Sequence, residues 1–422
     1  MHGHRALGCA ASLALALPLA LAGPAALGEA SVQKKPNDAS SATAVLFQWD
    51  RIAIATVYPA PPATATPIPV GTLYLGFASL AVNDAVQTSL QQGHTSVRAA
   101  IAQSAHDVLA EYFPTARADL DASLSSTLAS VAPSTAKAKG VRIGRDAAAD
   151  MIASRMQDGR NKTSITYDLA PGPGVWTPPP TGMLAPWLGY VKRLVPSKPV
   201  AVGGPDALTS TAYAHDFAEV KRIGSLDASE ADRSTHDTET ALFFTTNTLF
   251  AYQDALMRYL DAHPLGVSSS AKLLATINAS TANALIQTWR LKREIGFWRP
   301  NQAIIGADTD GNPATDADAS WQPLNQSLPP FAPNPPYSDY SSGHAAVTGT
   351  FAQSVRNYLG NAVPLRLHSM VTNTERTYLT LSSLEDDAFM SRIWLGIHFR
   401  HAMEDGYYLA HQTANRVTAH LR

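Results

Sequence analysis

The chain has 422 residues, 45% of them hydrophobic and 16% charged, with a formal net charge of -2. That length and apolar content can bury a large core, while the near-neutral balance leaves no basic footprint for nucleic acid and no polybasic tether for a membrane. Any strong positive field must therefore be local.

The first residues read as an export signal. His2, His4 and Arg5 give a weakly positive start, Ala6 to Ala22 is an apolar run broken by Pro18, and Ala26-Leu27-Gly28 offers small residues for cleavage. A spanning helix needs about 20 apolar residues, so residues 1–28 are expected to be removed. The product is then secreted or periplasmic, with no membrane association. Leu7-Gly8-Cys9 looks like a lipidation motif, but it opens the apolar run instead of closing it. Cys9 is the only cysteine, so the mature chain has neither disulfides nor thiol chemistry. Residues 29–43, small and polar, read as a flexible leader.

Residues 44–210 form an N-terminal helical part closed by a Pro-rich wrap. Val97, Ile101, Ala105, Val108, Leu109 and Tyr112 make a 3.6-period stripe that Pro114 ends. Leu120, Leu124, Leu128 and Val131 repeat the pattern, and an Ala-rich helix is predicted from Gly144 to Met156. From 160 to 210 proline and glycine punctuate the chain. Trp176, Trp187, Leu188 and Tyr190 make this stretch too aromatic for a disordered linker, so it should wrap over the helices.

Residues 211–422 carry the second helical part, with helices predicted at Ala214–Gly224, Thr238–Ala262, Ser269–Trp298, Gly343–Leu359, Leu365–Leu381 and Ser391–Leu421. No segment alternates over a strand's length, which makes the class all-α. Asp308, Asp310, Asp316 and Asp318 lie in an irregular stretch that lacks the Gly and Glu of a calcium loop and reads as solvated.

Three short clusters stand out in this second part: Lys292 with Arg299-Pro300, Ser341-Ser342-Gly343-His344, and Ser391-Arg392 with His398. Lys292 and Arg299 are two helical turns apart, so they should share a face of one helix that Pro300 stops. Trp289 lies one turn before Lys292. Ser342 is a natural N-cap, and Gly343 lets a ligand approach the free amides of a first helical turn. His344 beside those amides should have a lowered pKa. Arg392 and His398 fall on one site only if the chain turns near Gly396. Each cluster alone is commonplace; in this order and spacing they make an anion pocket.

The three clusters resemble the signature of the vanadium-dependent haloperoxidase and type-2 phosphatidic acid phosphatase superfamily. Trp289, Phe297-Trp298 and Gly396-Ile397-His398-Phe399-Arg400 are similar to its haloperoxidase branch, as, more loosely, are Asn83-Asp84-Ala85, Arg155 with Asp158-Gly159, and the run from Pro171 to Trp176. The resemblance implies a two-bundle helical fold holding vanadate, with His398 as the vanadium ligand. It makes Lys292, Arg299, Arg392, Ser342 and Gly343 the anion-binding groups, and His344, His398 and Lys292 the catalytic ones. Hydrogen peroxide and a halide would be the substrates. The alternative is a secreted acid phosphatase in which His398 attacks a phosphate ester, forming a phosphohistidine, and His344 protonates the leaving alcohol. Homodimerisation is left open.

Three positions depart from the resemblance. Ser341 stands where the family has Pro. Ala402 stands where an Asp four residues after the last His often orients it, which puts that orienting carboxylate in doubt. Tyr337 and Trp289 are the candidates for halide preference. Tyr337 replaces a Phe or His, and the reading leans to bromide or iodide over chloride.

Overall fold

The computed structural model describes residues 38–59, 66–328 and 333–422. The expected signal, residues 1–28, and most of the expected leader lie outside them. The first helix, α1 (Asp38–Val57), begins within the stretch read as leader. It is followed by α2 (Ile68–Gln92), α3 (Val97–Tyr112), α4 (Arg117–Ala129) and α5 (Thr135–Arg155). Ser96 and Ser134 start α3 and α5 as N-caps, their hydroxyls accepting from the amides of Ala99 and Lys137.

The second half holds α6 (Thr211–Ile223), α7 (Thr235–Phe243), α8 (Thr248–Ala262), α9 (Val267–Ile295), α10 (Pro300–Ile305), α11 (Gly343–Leu359), α12 (Leu381–Trp394) and α13 (Arg400–Leu421). Helices α2, α3 and α5 pack together, as do α9, α11 and α13. Helix α9 also lies along α2, so it belongs to the walls of both groups. That double role explains its composition: from Ala271 to Trp289 it is buried apart from Lys272. Among the described residues, no helix is long and apolar enough to cross a membrane.

The fold is mostly helical, as predicted, but four details correct the sequence reading. Leu365–Leu381 is not a helix. Leu365–Ser369 (β1) pairs antiparallel with Thr374–Tyr378 (β2), turning through Asn373 at φ 52°. Leu365, Leu367 and Ser369 are buried on one face, a period of two over five residues. That pattern is short enough to pass for part of a helical stripe.

The predicted Thr238–Ala262 helix breaks between Phe243 and Thr248, where Asn247 caps a new helix by accepting from the Phe250 amide. The predicted Ser391–Leu421 helix breaks at Gly396, whose φ is 72°; this is the turn that a shared site for Arg392 and His398 requires.

The fourth correction concerns Arg299. It does not share a helix face with Lys292, because α9 ends at Ile295 with Gly296 in the left-handed conformation, φ 61°. A Cβ at Gly296 would also collide with Tyr167 and Leu169. Pro300 does not stop α9; it begins α10, where its missing N–H costs nothing.

The Pro-rich segment does wrap the helices. The Trp176 amide donates to the Gly296 carbonyl (2.7 Å) and the Trp298 amide to that of Gly174 (2.9 Å). Trp289 Nε1 donates to Leu184 O (2.9 Å), and Arg155 Nη1 to Lys192 O (3.1 Å). The wrap thereby fixes the three residues that separate the end of α9 from Arg299.

Candidate functional site

Lys292, Arg299, Ser342, Gly343, His344, Arg392 and His398 come from four places in the chain. They are the end of α9, the linker to α10, the start of α11, and α12 with the turn after it. The structure brings them together. Gly343, His344, Arg392 and His398 line one cavity of about 310 Å³, with Trp289 and Tyr337, and among the described residues no acidic side chain lines it.

Lys292 and Arg299 lie behind this cavity, both wholly buried. Lys292 Nζ donates to Ser338 O (2.6 Å) and Asp339 O (2.8 Å). Arg299 donates from Nε to Tyr337 O (2.8 Å) and from Nη1 to Ile397 O (2.6 Å). Ser338 Oγ returns a bond to Lys292 O (2.7 Å). The loop before α11 is therefore a row of carbonyls that aims two cations. An ammonium has three donors, and these two bonds leave one for a ligand.

The start of α11 behaves as predicted. Ser342 Oγ accepts from the Ala345 amide (3.3 Å), and the Ser342 amide donates to Ala402 O (3.0 Å), tying α11 to α13. A Cβ on Gly343 would sit 3.2 Å from the Trp289 ring, so the indole as well as any ligand calls for glycine here. His344 has a strongly lowered pKa, but burial is the main cause and the Arg392 guanidinium the second. Its Nε2 has no hydrogen-bond partner, and neither has Arg392 Nε.

Tyr337 lies across both buried cations, its ring centroid 5.1 Å from Lys292 Nζ and 5.1 Å from the Arg299 guanidinium carbon. The Trp289 ring packs against it at 4.9 Å. A cation over an aromatic face is attracted by the ring's quadrupole, so Tyr337 covers the charges and narrows the pocket at once.

His398 follows the Gly396 turn and is 2% exposed. Its Nδ1 is 2.6 Å from Asp339 Oδ1, and Asp339 is fully buried. Burial and then Arg299, Lys292, Arg392 and His344 push His398 well below the ordinary histidine range. Burial pushes Asp339 up to about 7, against the pull of Arg299 and Lys292. Lys292 is lowered strongly by burial and by Arg299.

Three cationic side chains thus face a single carboxylate, in a setting where an uncompensated charge is costly. With the unpartnered His344 Nε2 and Arg392 Nε, this donor set suits a multiply charged oxyanion. His398, its Nδ1 engaged by Asp339, presents Nε2 as a neutral nitrogen to a metal-like centre. Vanadate fits it: His398 would hold the vanadium, and Lys292, Arg299, Arg392, Ser342 and the Gly343 amide would hold the oxygens.

Residues 272–422 match the family described as the VCPO second helical-bundle domain. A stretch of 98 residues is 36% identical to the vanadium chloroperoxidase of Curvularia inaequalis, spanning 22% of this chain and 15% of that relative's length. The first bacterial vanadium-dependent iodoperoxidase structure superposes with a TM-score of 0.71 at 15% identity, over 92% of this chain and 97% of the other. An apo-type bacterial vanadium-dependent chloroperoxidase gives 0.64 at 16% identity, over 87% and 98%. The chain resembles the vanadium-dependent haloperoxidases in fold and in motif. At these identities the solved structures speak for the fold, and the motif rests on the matched C-terminal helices.

Against that family's pattern, the missing carboxylate at Ala402 has a counterpart. The sequence leaves the orienting acid in doubt, and the structure brings Asp339 to His398 from the loop before α11. The signal was present: an acidic residue three positions before the N-cap Ser342, in a loop otherwise built of Pro, Tyr and Ser. The carbonyls of Tyr337 and Ser338 left no signal, since any residue type could supply them. Phe244, Thr245 and Thr246 at the cavity wall were hidden because their linker read as continuous helix.

Proposed function

We propose that this protein is a vanadate-dependent haloperoxidase that oxidises a halide with hydrogen peroxide. The observation that carries the proposal is the convergence of Arg392, Gly343, His344 and His398 on one pocket, with Lys292 and Arg299 buried behind it, in which His344 Nε2 and Arg392 Nε lack partners. Bound vanadate would supply the electrophilic centre at which peroxide is activated toward halide.

The protein's own groups would do the rest. His398, neutral through burial and its cationic neighbours, presents Nε2 as a ligand. Lys292, Arg299 and Arg392 neutralise oxyanion charge as preorganised donors, which pay no reorganisation cost during reaction. His344, kept neutral by burial and Arg392, accepts a proton at Nε2 from the incoming oxidant and returns it to the product. Leu285, Trp289, Tyr337 and Val347 line the cavity, limiting the water that competes for the activated site.

The lean to bromide or iodide over chloride at Tyr337 belongs to the same proposal, as does export through residues 1–28. The test is to load purified mature protein with orthovanadate and follow bromination with peroxide and bromide, in parallel with p-nitrophenyl phosphate hydrolysis without vanadate. Vanadate-dependent bromination is expected; phosphate-ester turnover with no halide oxidation would replace the proposal with the phosphatase.

A further inference from the structure

We propose that Asp339 is the positioning residue of His398, acting from the loop before α11 in place of a carboxylate at position 402 on α13. The proposal rests on the vanadate reading above for its functional consequence, and on the geometry for the contact itself.

The contact is short, fully buried and held by its own scaffold. Asp339 Oδ1 lies 2.6 Å from His398 Nδ1. The Asp339 amide donates to Phe297 O (2.9 Å), and its carbonyl accepts from Lys292 Nζ (2.8 Å). The backbone that carries the carboxylate is thus fastened to the two segments that carry Lys292 and Arg299. Moving Asp339 would disturb the cations, and the reverse holds as well.

Ala402 makes the arrangement possible. It lines, together with Asp339, Phe297, Phe399 and Tyr340, a space of only about 10 Å³ that Asp206 and Asp216 also border. A single methyl there leaves room for the Asp339 carboxylate; an acid at 402 would add negative charge to a small space that Asp339, Asp206 and Asp216 already border. The two positions are alternative sources of one carboxylate. Ala402 is also held to the site, since its carbonyl accepts from the Ser342 amide.

The consequence is a fixed tautomer. An Nδ1–H donating to a carboxylate leaves the lone pair on Nε2, the nitrogen a metal centre needs, and such a partner also raises ligand basicity and stops ring rotation. Asp339 touches neither substrate nor anion in this arrangement; it acts through His398.

Orthovanadate affinity of the mature protein, measured by equilibrium dialysis, tests this. Asp339→Ala should weaken binding by about 10–100-fold, the effect of losing an outer-shell partner. Asp339→Asn, which keeps the volume and an acceptor oxygen, should recover part of that loss. Asp339→Ala combined with Ala402→Asp should return affinity to within about threefold of wild type. A role confined to packing predicts no rescue by an acid brought in from the other helix.

Unchanged affinity in Asp339→Ala, or a double variant as weak as the single, would overturn the proposal. If Asp339→Ala does not fold, Asp339→Asn against the double variant carries the same comparison. Wild-type protein that binds no vanadate would sink the functional reading instead. In that case the ring nitrogens of His398 decide, by 15N NMR against His398→Gln for assignment. An Nδ1–H tautomer in wild type that is lost in Asp339→Ala supports the positioning role, and identical spectra overturn it.

Discussion

Two buried histidines, one in each helical group, pair with aspartate and end in opposite states. His106 on α3 has Asp107 at 2.7 Å from Nδ1 and Asp121 at 2.8 Å from Nε2. His398 has Asp339 at 2.6 Å from Nδ1. The Asp107 hydrogen bond, helped by Asp121, outweighs burial and raises the His106 pKa above the ordinary 6.5. Around His398, burial and three cations outweigh one carboxylate and drive it down. A histidine–aspartate pair is therefore not a functional sign in itself. In α3 both ring nitrogens are occupied and the pair is a clamp; beside α13 one nitrogen stays free.

The largest expected difference between the two is in vanadate retention. His398→Ala should abolish it, a loss of 100-fold or more on removing a direct ligand, where an outer-shell partner alone is worth about 10–100-fold. His106→Ala should leave it unchanged. Equal retention in both variants, by equilibrium dialysis, would break the comparison.

Next in size is the split between binding and turnover at His344. His344→Ala should lower kcat by about 10²–10⁴-fold, the usual contribution of a general acid–base group, while vanadate affinity changes little. Parallel loss of both would give His344 a binding role instead.

The two histidines should also give stability curves of opposite slope. Because the folded pKa of His106 is raised, its contribution is complete below about pH 6.5 and is lost as pH rises through the folded value. Because that of His398 is lowered, its burial is without cost above about pH 6.5 and destabilises the fold as pH falls below it. In urea denaturation, His106→Gln should cost about 1–2 kcal/mol more at pH 5.5 than at pH 8.5, the worth of a charge-assisted hydrogen bond. His398→Gln should cost less at pH 5.5 than at pH 8.5. Parallel slopes would contradict the assignment of charge to one ring and neutrality to the other.

The site was more legible than the fold around it, for a physical reason. Lys292, Arg392, His344 and His398 are chemistry-bearing side chains at fixed spacing, and spacing survives in a sequence. The break at Gly396 was legible too, because glycine alone is at ease at its φ of 72°. The end of α9 was misread by three residues because Pro300 drew attention from Gly296, although glycine after a helix and proline at the next helix start are the ordinary pairing. The hairpin at Leu365 was lost because five alternating residues are too few to separate a period of two from one of 3.6. Asp339 was missed because its partner is 59 residues on in the chain.

The smallest effect expected is at the join between wrap and site. Gly296→Ala forces a strained φ and displaces Tyr167, costing about 1–3 kcal/mol. Through the Gly296–Trp298 segment it should also loosen Arg299 and weaken vanadate binding modestly. A fall in melting temperature with unaltered affinity would separate the wrap from the site.

The most direct test of the account is bromide oxidation by vanadate-loaded wild type, His106→Ala and His398→Ala, assayed side by side with excess peroxide. The account predicts full activity in the first two and none in the third. Activity that survives in His398→Ala, or that is absent from wild type while phosphate esters are hydrolysed, would contradict it.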